Sequence, residues 1–147
     1  MSADRLRRLL LGSRTGWPST AAPVVRLVAS GIFLVFGMEK FTDHVSELRS
    51  FRTYGLPAPD AFVYSIGVVE IAGGVLLLLG LATRPAALML AGDMIGAIAT
   101  AGVVEGGGIN LGLAPALLAA MLFLMWAGSG RVALDRPLAR ASLSRAP

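Results

Sequence analysis

Four stretches of this chain are apolar over close to the length needed to cross a bilayer, and nothing else in it restricts the fold as much. A hydrocarbon core of about 30 Å takes about 20 helical residues. The stretches run over about 23–40, 61–82, 85–104 and 111–128. The second is interrupted only by Glu70 and the third only by Asp93; the fourth carries no charge. Lipid offers the backbone no hydrogen bonds, so such segments must be helices or a closed barrel, and their length indicates helices. The connections at Thr83-Arg84 and Glu105–Asn110 are short, so neighbouring spans should run antiparallel. The expected fold is all-α, an integral membrane four-helix transmembrane bundle over 23–128, with a basic arm (1–22) and a basic tail (129–147). Composition agrees: 55% of residues are hydrophobic and only 15% charged, where a soluble domain is nearer a quarter charged.

The net charge of +4 does not indicate a nucleic-acid partner, because the arginines flank apolar runs and form no separate basic face. Arg5, Arg7, Arg8, Arg14, Arg26, Arg84, Arg131, Arg136, Arg140 and Arg145 fall on one side of the expected membrane. Lys40, Arg49 and Arg52 fall on the other, in a loop that also holds Asp43, Glu47 and Asp60. That bias predicts that both termini are cytoplasmic. The apolar run after Arg8 stops at Gly12-Ser13-Arg14, too short for a secretory h-region, so residues 1–22 read as a retained arm with Trp17 at headgroup level.

The first outer loop should hold a short surface helix. Asp43 is placed to cap it, with Val45, Leu48 and Phe51 near one face, and Gly55-Leu56-Pro57 to stop it. Helix association in lipid relies on close contact of small residues. Gly31 and Gly37 in the first span, Gly73 and Gly74 in the second, and the Gly92/Gly96 pair in the third are the packing candidates. They would serve either the bundle itself or a homo-oligomer. The tail after Gly128 is expected to be mobile.

Charges inside a membrane cost about 2.5–3.5 kcal/mol each on insertion scales, so they face the protein interior and find partners. From the rise per residue, Glu70 lies roughly 13 Å below the outer surface and Asp93 roughly 12 Å above the inner one. Their levels thus differ by only about 5 Å. Lys40 should reach down to Glu70, and Arg26 should reach up to Asp93. Two readings of these groups stand side by side. They set helix register, or they form an intramembrane polar pocket.

Several chemistries have no support. There are no cysteines, so thiol catalysis and thiolate metal sites are excluded. The single histidine, His44, lies in the outer loop, which excludes bis-histidine haem ligation by one chain and disfavours a metal site; it is expected to be solvated. Gly106-Gly107-Gly108 opens no βαβ unit and reads as a turn. No catalytic set can be assigned.

The residues also carry a resemblance. Arg26 is followed by Gly31-Ile-Phe-Leu-Val-Phe-Gly37-Met-Glu-Lys40. Phe51 and Gly55-Leu-Pro57 come next, then Glu70-Ile-Ala-Gly73-Gly74 leading into Leu79-Gly80-Leu81-Ala-Thr83-Arg84 and Ala87. The series closes with Gly128-Ser-Gly130-Arg131-Val-Ala-Leu-Asp135. These blocks, in this order over roughly 26–137, resemble the DoxX family of small bacterial membrane proteins, with Ala133 where serine is common. The resemblance implies four helices in a bacterial cytoplasmic membrane. It also points to Arg26, Lys40, Glu70 and Arg84 as the residues that matter, to which depth adds Asp93. Its named relatives include a membrane subunit of thiosulfate:quinone oxidoreductase and proteins linked to oxidative or thiol stress. The leading expectation is therefore a membrane subunit or anchor of an oxidoreductase assembly. It would have a soluble partner and a quinone as ligand, but no redox centre of its own. A scaffold recruiting soluble partners and an oligomeric proton-linked transporter are the alternatives.

Overall fold

The computed structural model describes residues 14–104 and 108–135. The arm before Arg14, the tail after Asp135 and the glycine turn at 105–107 lie outside the described residues. Among the described residues the chain forms five helices. They are α1 (Trp17–Thr42), α2 (His44–Thr53), α3 (Pro59–Leu79), α4 (Thr83–Ala97) and α5 (Gly108–Ala127). A π-helical turn, Ile98–Gly102, continues α4. Trp17–Thr42, Pro59–Leu79 and Thr83–Gly102 are each long and apolar enough to span a membrane, and Leu111–Ala127 is a shorter apolar helix.

The four long helices pack in a ring, α1 on α3, α3 on α4, α4 on α5 and α5 back on α1. Phe33, Leu77, Leu90, Met121 and Leu124 fill its centre. Contacts between α1 and α3 are close because both helices present glycine. A Cβ on Gly37 would lie 3.1 Å from the Gly67 carbonyl oxygen, and one on Gly67 would lie 3.1 Å from Lys40 Cβ. Gly73 receives Leu90 of α4, and Gly74 receives Leu34 of α1. Gly31, Gly92 and Gly96 behave differently: a Cβ on any of them would meet nothing within 4 Å. On α4, Gly92 lies exposed on the side away from the buried Ala86, Ala87, Leu90, Ala91 and Met94, whereas Gly96 borders the cavity described below.

Helix α1 begins at Trp17, ahead of Pro23, so residues 17–22 belong to this helix and not to a separate arm. Proline has no N–H to donate to the carbonyl four residues back. The orphaned Ser19 carbonyl is instead taken by the Arg131 N–H at 2.9 Å. Gly130 makes this approach possible, since a Cβ there would sit 2.6 Å from Pro23 Cδ.

The segment after α5 is therefore not a free tail. Gly128, Ser129 and Gly130 are buried, and the chain lies along the α3–α4 turn as far as Asp135, which is 1% exposed. That turn ends α3 in a Schellman motif, with Gly80 N–H to Leu77 O at 3.0 Å and Leu81 N–H to Leu76 O at 2.9 Å. Ala82 then takes a left-handed conformation (φ 46), costly for a residue with a Cβ. Asp135 holds it there: its carboxylate accepts from Ala82 N–H at 2.8 Å and Thr83 N–H at 3.2 Å. Asp135 thus caps α4 from a distant part of the chain.

Candidate functional site

At the end of the bundle that α2 covers, the helices surround a partly open cavity of about 330 Å³. Its walls are largely aromatic and aliphatic, with Phe33 and Phe36 from α1, Phe51 and Tyr54 from the α2 side, and Phe62 and Ile66 from α3. The charged part consists of Lys40, Glu47, Glu70 and Asp93, and Ser50, Tyr54 and Thr100 add hydroxyls. Helix periodicity puts Glu70 on the buried stripe of α3 together with Val63, Gly67, Gly74 and Leu77. Gly67 and Gly37 bring α1 near enough for Lys40 to face it.

Lys40 Nζ lies 3.0 Å from Glu70 Oε2, and the two side chains are 10% and 5% exposed. This contact follows the depth arithmetic. Lys40 Nζ also lies 3.7 Å from Glu47 Oε2 on α2. Asp93, on α4, lines the same cavity, and its Oδ2 is buried with no hydrogen-bond partner. The π turn lies along this wall too. Ala97, Thr100 and Ala101 line the cavity, while Thr100 donates to the Gly96 carbonyl at 2.8 Å. Such turns interrupt regular helices often at functional sites.

Arg26 does not reach Asp93. About 21 Å of helix separates Arg26 from Lys40, and Arg26 packs beside Gly80 at the far end of the bundle. There its guanidinium donates to the carbonyls of Ser129 at 2.7 Å and Val132 at 2.6 Å. Arg84 is also at that end, donating to the Trp126 carbonyl at 3.4 Å. Arg14 joins them, donating to the same carbonyl at 3.2 Å with its guanidinium 4.6 Å from the Trp126 ring centre. These arginines satisfy the carbonyls at and beyond the end of α5. Of the five polar candidates, Lys40, Glu70 and Asp93 converge and Arg26 and Arg84 do not.

Helix α2 is turned differently from the expectation. Phe51 is buried and Leu48 half-buried, but Val45 is 72% exposed. Glu47, Ser50, Phe51 and Tyr54 form the inward face instead. Asp43 occupies the N-cap position without a side-chain capping bond. Its backbone carbonyl accepts from Ser46 and Glu47. His44 is not simply solvated. Its ring stacks on Tyr64 at 4.3 Å, and Nε2 lies 3.2 Å from Asp60 Oδ1, tying α2 to the start of α3. Among the described residues no three His, Cys, Asp or Glu side chains converge as metal ligands.

The site residues lie largely within one recognisable region. The DoxX family model matches residues 21–103, from the second turn of α1 to just past the π turn. The chain belongs to the DoxX family. It is 39% identical over 131 residues to the "Uncharacterized membrane protein Rv3486" of Mycobacterium tuberculosis, covering 79% of this chain and 80% of that one. A Haemophilus influenzae "Uncharacterized protein" is 35% identical over 118 residues, 76% of this chain and 85% of its own length. The Bacillus subtilis protein named "Putative oxidoreductase CatD" is 39% identical over 77 residues, 52% of this chain and 56% of that one. No solved structure is significantly similar to this chain. With its apolar helices and these relatives, this DoxX protein is a multi-pass membrane protein.

Glu47, Gly67 and the π turn were not singled out from the sequence. Gly67 was within reach: stepping back from Glu70 by a helical turn lands on it. Glu47 was not, because the helix break at Asp43 ends the register that would relate it to Lys40.

Proposed function

We propose that this DoxX protein is a subunit of an oxidoreductase assembly in the bacterial cytoplasmic membrane, and that its cavity holds a lipophilic quinone. The observation that carries this reading is an aromatic-walled cavity closing on a buried Lys40–Glu70 ion pair. A volume of about 330 Å³ is at the small end for sites that take small organic molecules, about 300–1,000 Å³. The rings of Phe33, Phe36 and Phe62 suit a flat aromatic head. The donor set fits as well. The Lys40 ammonium, which has three N–H donors, can donate to a quinone carbonyl beside the Glu70 carboxylate. A bound quinone would supply the two-electron chemistry; the chain's own residues orient its head. The oxidoreductase name of the partial relative CatD is consistent with this placement.

In this reading the four apolar helices cross the membrane with both ends of the chain in the cytoplasm. Arg14, Arg26, Arg84 and Arg131 then lie at the cytoplasmic end, and the cavity and α2 at the outer end. The test is mass spectrometry of lipids and proteins that co-purify with the tagged full chain from its native membrane in mild detergent. Near-stoichiometric quinone, or a soluble oxidoreductase, is the expected result. Recovery of bulk phospholipid alone would overturn the proposal.

A further inference from the structure

The cavity has an open side, and its place in the bundle decides how a ligand reaches it. Helices α3 and α4 are joined by the tight turn at 80–82 and touch where Gly73 receives Leu90, about 10 Å from that turn. Further from the turn, cavity lies between them. Ile66 is thirteen residues before the end of α3 and Gly96 thirteen residues after the start of α4, so both stand about 20 Å from the turn. Phe62 and Thr100 stand one helical turn beyond, again level with each other. All four line the cavity. Among the described lining residues only Phe62 and Gly96 are exposed at the molecular surface; the others are buried or half-buried. One from each helix, they mark the rim of the opening.

That rim suits hydrocarbon better than water. Thr83–Gly102 is 20 residues long, about 30 Å of helix, so a rim about 20–25 Å along it lies inside the thickness of a bilayer core. Phe62, Ile66 and Gly96 bring no polar side chain, and Thr100 spends its hydroxyl hydrogen on the Gly96 carbonyl at 2.8 Å, which keeps a lipid-facing backbone group satisfied. At the water-facing end α2 lies across the cavity, with Phe51 buried and Glu47 within 3.7 Å of Lys40. A volume of about 330 Å³ holds a ring system but not a long hydrocarbon chain as well. Glycine inside a helix is less favourable than alanine, and packing does not demand it at 96, where a Cβ would meet nothing within 4 Å.

We propose, on the strength of the quinone reading above, that the gap between α3 and α4 is a lateral mouth open to the leaflet on the α2 side. The head enters from the lipid and stops at Lys40, and its hydrocarbon chain lies out between Phe62 and Gly96. The site thereby selects chain-bearing molecules dissolved in the membrane over ones dissolved in water. Gly96 is the specificity-determining position, because a side chain there would stand in the path of the chain.

The test uses the full chain in lipid nanodiscs and a naphthoquinone whose farnesyl chain carries a photoactivated diazirine. Light should couple that chain to residues 62–66 of α3 and 96–100 of α4. Excess menadione, which has the head without the chain, should suppress the coupling. Gly96→Leu should reduce the suppressible coupling at least about tenfold, the scale of one overpacked contact, while Gly92→Leu leaves it unchanged. Suppressible coupling to any other helix, or coupling indifferent to Gly96→Leu, would overturn the lateral mouth and leave the quinone site standing. No coupling that menadione suppresses would overturn the quinone reading itself. The coupled positions are read on the unmodified chain, so a Gly96→Leu protein that fails to fold leaves the question decided.

Discussion

At the residue scale the Lys40–Glu70 pair carries the most risk and the most information. Both groups are nearly out of solvent, where one charge without its partner costs about 3–5 kcal/mol. Glu70→Gln alone and Lys40→Met alone should each destabilise the bundle strongly. The double variant should be more stable than the sum of the two losses predicts, with a coupling of about 0.5–3 kcal/mol. Denaturation of detergent-solubilised protein, followed by tryptophan fluorescence, measures all four states of the cycle. Strictly additive losses would mean that the two side chains do not depend on each other. Arg26 gives a different prediction. Its two charge-assisted bonds to Ser129 and Val132 carbonyls are worth about 1.5–3 kcal/mol apiece at most. Arg26→Gln should lower stability without altering ligand affinity in the cavity at the other end. A ligand-binding defect at unchanged stability would contradict that separation.

At the scale of the elements, glycines of the same residue type have different consequences according to the face they occupy. Gly37→Leu would drive a side chain into Glu70 and Gly67, and overpacking of this kind costs about 1–3 kcal/mol. Gly92→Leu enters open space, and changes at such surface positions usually stay within about 0.5 kcal/mol. Thermal melting of the two variants side by side tests the assignment; equal losses would indicate that the α4 outer stripe is covered by something, a second copy included. The α3–α4 turn depends on a residue far along the chain. Asp135→Ala removes the cap from Ala82 and Thr83 and should cost about 0.5–2 kcal/mol. Faster amide exchange at the start of α4 would be its signature, and unchanged exchange there would show that the cap is dispensable.

For the whole molecule the decisive prediction concerns orientation. The chain has no cysteine, so single introduced cysteines report without background. Val45 on α2 is 72% exposed, and Arg131 lies exposed at the opposite end of the bundle. In intact cells a membrane-impermeant maleimide should label Val45→Cys. It should reach Arg131→Cys only after permeabilisation. The reverse pattern would invert the positive-inside assignment and move the cavity to the cytoplasmic side.

Much of this architecture was legible in the sequence because bilayer thickness and backbone hydrogen bonding leave few choices. Helix number, helix type and the burial of Glu70 beside Lys40 follow from segment length, periodicity and the cost of a charge in lipid. The DoxX family was legible from ordered blocks around Arg26, Lys40, Glu70, Gly80 and Asp135. The remainder was decided by rotation and return of chain segments, which no one-dimensional spacing contains. Depth places Arg26 and Asp93 on the same side of the midplane but says nothing about competing carbonyls. The segment after α5 folds back to offer Ser129 and Val132 to Arg26. Periodicity gave α2 an apolar face, yet its inward face carries Glu47, which lies 3.7 Å from Lys40, beside Phe51, and leaves Val45 exposed. Local chemistry thus determined which elements form and which charges must be buried. Only the tertiary structure decided their partners, since a partner depends on helix rotation and chain reversal summed over the whole fold.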